Sequence, residues 1–101
     1  MTGRELLERL PETVKQQIIQ TYGSLDQYYE FVFKLYESDR QWFSVKTDEG
    51  RQKRQQIQNK LFDLEDELET FGIEDGHAVL TEISSDHGEK VLAGFLKKMG
   101  M

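Results

Sequence analysis

The chain has 101 residues, with 13 basic against 19 acidic side chains and a formal charge of −6, and area scaling gives its 11.9 kDa about 6,000 Å² of folded surface, which is one domain with a core. Apolar residues at 37% and aromatic residues at 11% are too many for a disordered chain. The lack of cysteine excludes disulfides, thiolate nucleophiles and Cys-ligated zinc or iron–sulfur centres. No apolar signal core opens the sequence and no apolar run exceeds three residues, so the expectation is a soluble, acidic, cytoplasmic domain over residues 1–101 that neither is exported nor meets a membrane.

Helix boundaries recur along the chain. Thr2 with Glu5 forms a capping box, in which hydroxyl and carboxylate each satisfy an orphan amide of the first turn. The short helix that follows has Leu6, Leu7 and Leu10 on its apolar side and breaks at Pro11, which biases Leu10 away from helical dihedrals and itself suits a first helical position. Val14, Ile18, Ile19 and Tyr22 then recur at intervals of three and four until Gly23 ends a second helix. Ser24 and Gln27 form a second capping box and open a third helix, from Leu25 to about Asp39. Its apolar residues make two stripes, Leu25, Tyr29, Val32 and Tyr36 beside Tyr28, Phe31 and Leu35, so it needs cover on two sides, from this chain or from another molecule.

Trp42 and Phe43 are placed in the connection after it. The longest element is predicted at about 48–71, opened by Thr47-Asp48-Glu49 with carboxylates where the helix dipole favours them. Ile57, Leu61, Leu64, Leu68 and Phe71 are spaced 4, 3, 4, 3, the seam of a helix that buries a narrow face against another helix. Residues 50–56 carry no apolar side chain, so this end is predicted to project from the core, and Arg54→Glu to leave the fold nearly unchanged. Gly72 ends the rod. Ala78, Val79, Leu80 and Ile83 read as a short helix after Asp75, since a lone strand has no partner in this sequence. A third capping box, Asp86 with Glu89, is predicted to open a final helix with Val91, Leu92, Phe95, Leu96 and Met99 on its apolar side and Lys97 and Lys98 near its end. The expected fold is all-α, a small bundle of five or six helices with one long helix.

Chemical motifs are scarce. His77, near Glu74 and Asp75, and His87, near Asp86 and Glu89, match no compact metal-ligand spacing, and both read as solvated residues at helix starts. Gly76 and Glu82 have the spacing of half a calcium loop, but the first and third ligand positions fall on Phe71 and Ile73, which cannot ligate calcium. Residues 17–36 run helix, turn, helix. However, the start of the would-be recognition helix shows Asp26 and Glu30 where phosphates call for cations. Ser84, Ser85 and His87 lack the strand-to-helix turn of a nucleophile elbow, and Asp66 and Glu69 lie on a face that reads as solvated, with nothing to tune a general acid. No cofactor motif is present, and no enzyme is expected.

Charge patterning carries the functional reading. Residues 46–60 hold five basic and two acidic side chains, while residues 61–76 hold seven acidic and no basic ones. The long helix is therefore bipolar against its own dipole, which favours the opposite order. Two arrangements offset this: antiparallel pairing of two copies of the helix as a homodimer sharing the 57–71 seam, or docking of another protein. The expected function is a non-catalytic protein-protein interaction module, an adaptor, inhibitor or regulator, with Arg51, Lys53, Arg54, Lys60, Asp63, Asp66 and Glu67 as partner-binding residues. The alternative is a nucleic-acid-associated regulatory protein that contacts phosphates through the basic 46–60 segment.

Overall fold

The computed structural model describes residues 2–100, without the side chain of Phe43, and holds five helices in the order α1 (Gly3–Glu8), α2 (Glu12–Tyr22), α3 (Leu25–Phe43), α4 (Asp48–Phe71) and α5 (Gly76–Lys98). Four starts are sealed locally: the side chains of Thr2, Ser24, Thr47 and Asp75 each accept the amide three residues on, at 3.0–3.2 Å. Pro11 stands one residue before α2 and separates it from α1. Gly72, at φ +116°, ends α4 in the left-handed conformation that glycine adopts without strain, and Ile73 N–H bonds Leu68 O at 3.0 Å to close the last turn.

α3 sits at the centre and touches the other four helices. Tyr28, Val32 and Phe33 are buried, and Leu25, Tyr29, Leu35 and Tyr36 pack around them, so both stripes of α3 are covered largely within the chain. The Tyr22 ring lies tilted against Tyr28 at 4.8 Å and against Phe31 at 5.8 Å between ring centres, aromatic contacts that add to the area they bury. α3 continues to Phe43, past the predicted end at Asp39, so Trp42 lies on the helix and not in a connection. Nothing between Arg40 and Phe43 breaks a helix, and the stop comes only with Ser44 and the Thr47 cap of the next element. Trp42 is half-buried, and the exposure of the Phe43 ring lies outside the described residues.

α4 is unbroken over 24 residues. Its seam faces inward: Leu64 and Leu68 are buried, and Leu61 and Phe71 pack on the same core. α3 and α5 of the same chain cover that seam, so it is not available for sharing with a second copy.

The largest departure from expectation is α5, one continuous helix where two were predicted. Asp86 lies in its middle and does not cap it. The carboxylate Oδ2 instead accepts from Gly3 N–H at 2.9 Å and from the Tyr29 hydroxyl at 3.0 Å. It thus satisfies the N-terminus of α1, which crosses α5 here. The approach is close enough that a Cβ on Gly3 would lie 2.7 Å from the backbone of Ile83, which is why a residue without a side chain stands there. A capping signal that the sequence offers to its own helix is used across the fold.

None of the described helices is long and apolar enough to cross a membrane. The accessible surface is 6965 Å², against about 6,000 Å² for a compact chain of this mass, and the radius of gyration is 14.9 Å, against about 13 Å. Much of the excess lies at the far end of α5, where every described residue from Glu89 to Gly100 is exposed.

Candidate protein-docking surface

The first half of α5 buries Gly76, Val79, Leu80, Ile83 and His87, one face at helical spacing. Continued along a helix of 100° per residue, that face meets Lys90, Gly94 and Lys98. The apolar residues Leu92, Phe95, Leu96 and Met99 fall on a second stripe, rotated from the first by roughly 150°. With Val91 beside them, they are 40–59% exposed. The apolar face thus changes sides near residue 90, and the distal stripe points away from the bundle. The sequence reading placed these residues on the apolar side of a separate final helix. The signal that separates them is the clash of phase between 79, 80, 83, 87 and 92, 95, 96, 99, which shows once the two halves are read as one helix.

Between α3 and distal α5 runs an open groove of about 480 Å³ with Glu37, His87, Lys90 and Phe95 along it. His87, predicted as a solvated residue, is 4% exposed, because α5 does not start there but carries it into the bundle, edge-on to Phe33 at 5.0 Å. Lys90 Nζ lies over the Phe33 ring, 5.1 Å from its centre. Burial lowers the pKa of His87, the cations Arg40 and Lys90 lower it further, and Glu37 opposes them. His77 remains exposed with Nδ1 2.8 Å from Glu65 Oε1, and the hydrogen bond and charge of Glu65 raise its pKa.

These two shifts act on stability in opposite directions. For His87, the unfolded chain takes up a proton as pH falls through the ordinary 6.5 while the folded chain still refuses it, so stability drops below that pH. For His77 the folded chain binds the proton more tightly, and that contribution is lost as pH rises through its raised pKa. The urea midpoint of the wild type is expected to fall more than that of His87→Leu between about pH 7.5 and 5.5; equal falls in the two proteins would rule out His87 as the source.

On α4 the seven predicted partner-binding residues divide. Lys53, Lys60, Asp63 and Asp66 are exposed, and exposed Arg51 pairs with Asp48 one turn away at 2.7 Å. Lys60 Nζ lies 5.9 Å from the Phe31 ring centre. Glu67 turns inward and accepts from the Tyr22 hydroxyl, with burial and then Glu67 pushing that phenol's pKa up. Arg54 is half-buried against α3, its Nε 3.7 Å from Asp39 Oδ1, so this turn of the rod does not project freely as the sequence implied. The prediction for Arg54→Glu changes accordingly: a carboxylate set against Asp39 is expected to cost about 1–2 kcal/mol, between the values for exposed and buried pairs. Chemical denaturation of Arg54→Glu beside Lys53→Glu checks this, since the exposed Lys53 should tolerate reversal; equal stability would show that the Asp39 contact contributes nothing.

Phe62 stands among the exposed acids of α4, off the seam and 59% exposed. With Asp63, Asp66 and Glu69 it makes the outer face of the helix's second half, apolar at its centre and anionic around it. Among the described residues no group of three or more His, Asp or Glu converges as a metal site. Ser84 lies half-buried on α5 one turn before buried His87, and Ser85 is exposed. No protein-family model, no curated protein and no solved structure was found to match the chain.

Proposed function

We propose that this chain is a non-catalytic protein-protein interaction module, an adaptor, inhibitor or regulator of the cytoplasm, and that its contact surface is distal α5 together with the outer face of α4. The observation that carries this reading is the second apolar stripe, Leu92, Phe95, Leu96 and Met99, which stands 40–59% exposed on α5. Contiguous apolar surface rimmed by charge is characteristic of a binding surface and not of a solvated helix. Recognition of phosphates by residues 46–60 is the weaker reading, because Asp48 and Asp39 stand beside two of the cations and a ring beneath a third, while an acidic block follows on the same helix.

A photo-reactive side chain placed at position 95 tests the proposal in the cells that make the protein. Irradiation is expected to give discrete protein adducts that are absent when the same group is placed at exposed Gln16. Adducts no more abundant at 95 than at 16 would overturn the reading.

A further inference from the structure

We infer that the groove between α3 and distal α5 is a binding site for a small organic monocarboxylate, its carboxylate held at His87 and Lys90 and its apolar body laid over Gly94 against Val91 and Phe95. The inference goes beyond the protein-docking reading and does not depend on it.

Three observations carry it. The first is an unmet polar group. His87 lines the groove at 4% exposure, and its Nδ1 is buried without a hydrogen-bond partner among the described residues, where buried polar atoms are almost always paired. With Nδ1 tied to nothing, no contact in the fold fixes the tautomer, so the ring can carry its N–H on the nitrogen that a guest reaches. The second is charge. Lys90 and Lys98 line the groove and take part in no ion pair among the described residues. At the imidazole, Arg40 of α3 and Lys90 act together against Glu37, which leaves the site positive in a chain whose net charge is −6. The third is Gly94. It lies inside α5, where glycine weakens a helix relative to alanine, yet its φ is not positive and a Cβ there would meet no atom within 4 Å. Neither backbone conformation nor close packing calls for it; what the missing side chain does is keep the groove open between Lys90 and Lys98.

The lining selects among anions. A groove of about 480 Å³ is of the size that takes a small organic molecule. Val91 and Phe95 offer apolar surface to the body of the guest, while a charge-assisted hydrogen bond from the imidazole or the Lys90 ammonium suits its carboxylate. Glu37, on the opposite wall, offsets one of the cations and so penalises a second negative charge. A monocarboxylate with an aryl or alkyl body therefore fits better than inorganic phosphate, which has no apolar part and carries more charge.

Titration of the purified full chain with phenylacetate and with octanoate, followed by proton NMR of the rings of His77 and His87, tests this. Both probes are expected to give a saturable shift at His87 and to raise its pKa, as an anion beside an imidazolium does, while exposed His77 keeps its own. Benzyl alcohol, which has the aryl body without the charge, and acetate, which has the charge without the body, are each expected to bind at least about tenfold more weakly than phenylacetate. Lys90→Gln should weaken phenylacetate about fivefold. Gly94→Leu, which sets a side chain in the groove from an exposed helical position, should abolish the saturable shift with circular dichroism unchanged. No saturable shift at His87 with either probe, equal shifts at the two histidines, or full affinity in Gly94→Leu would overturn the inference. So would benzyl alcohol binding as tightly as phenylacetate, which would mean an apolar cleft without anion recognition, or inorganic phosphate doing so, which would mean a patch of cations only.

Discussion

Leu64→Ala is expected to lower the unfolding free energy by about 2–5 kcal/mol, read from the urea midpoint at unchanged m-value. Leu64 is 2% exposed on the inner face of α4, where α3 and α5 both press against the helix. Truncation removes the transfer free energy of three carbons and leaves a void that a helix held on two sides closes poorly. A small domain has roughly 5–15 kcal/mol in total, so the variant stands near the edge of folding at physiological temperature. The exposed Phe62 two residues away is the control, and its truncation to alanine is expected to change stability by less than about 0.5 kcal/mol. A Leu64→Ala variant within about 1 kcal/mol of the wild type would show that α4 is not packed as described.

Asp86→Ala is expected to cost about 2–4 kcal/mol, since hydrogen bonds to a charged group are worth about 1.5–3 kcal/mol each and two donors lose their acceptor together. One is Gly3 N–H at the start of α1 and the other the Tyr29 hydroxyl of α3. Burial, followed by the bond to Asp86, pushes the Tyr29 phenol's pKa up to about 12, as expected of a hydroxyl that donates to a carboxylate. α1 has six residues, too few to persist as an isolated helix, so its amides are expected to exchange with solvent faster in Asp86→Ala than those of α4. Asp86→Asn keeps an acceptor without the charge and should lie between. Combining Asp86→Ala with Tyr29→Phe removes donor and acceptor together and should cost less than the sum of the two. Strict additivity would show that Tyr29 and Asp86 do not interact.

Boundaries that depend on a side chain and its own helix were readable from the sequence: Thr2, Ser24, Thr47 and Asp75 cap the turns they precede, Pro11 separates α1 from α2, and Gly72 stops α4. The inner seam of α4 was equally readable, because Leu61, Leu64, Leu68 and Phe71 share one helical face whatever packs against it. Errors arose where a signal had two uses. Asp86 with Glu89 has the spacing of a capping box, yet Asp86 serves a helix 83 residues away in sequence. Arg54 looked solvated because no apolar residue surrounds it in sequence, yet Asp39 on α3 stands beside it.

The candidate surface was legible only in part. The exposed lysines and acids of α4 are legible from their charge, whereas Phe62 is hidden by its place beside Leu61, and the stripe from Val91 to Met99 reads as the apolar side of a separate final helix. What the sequence by itself determined is the all-α class, most helix starts and the inward face of α4, since these rest on contacts within a few residues. Only the tertiary structure decided that α5 is continuous, that His87 is buried and that Leu92, Phe95, Leu96 and Met99 face outward. Burial depends on which helices reach a given face, and α1, α3 and α4 cover α5 only along its first half.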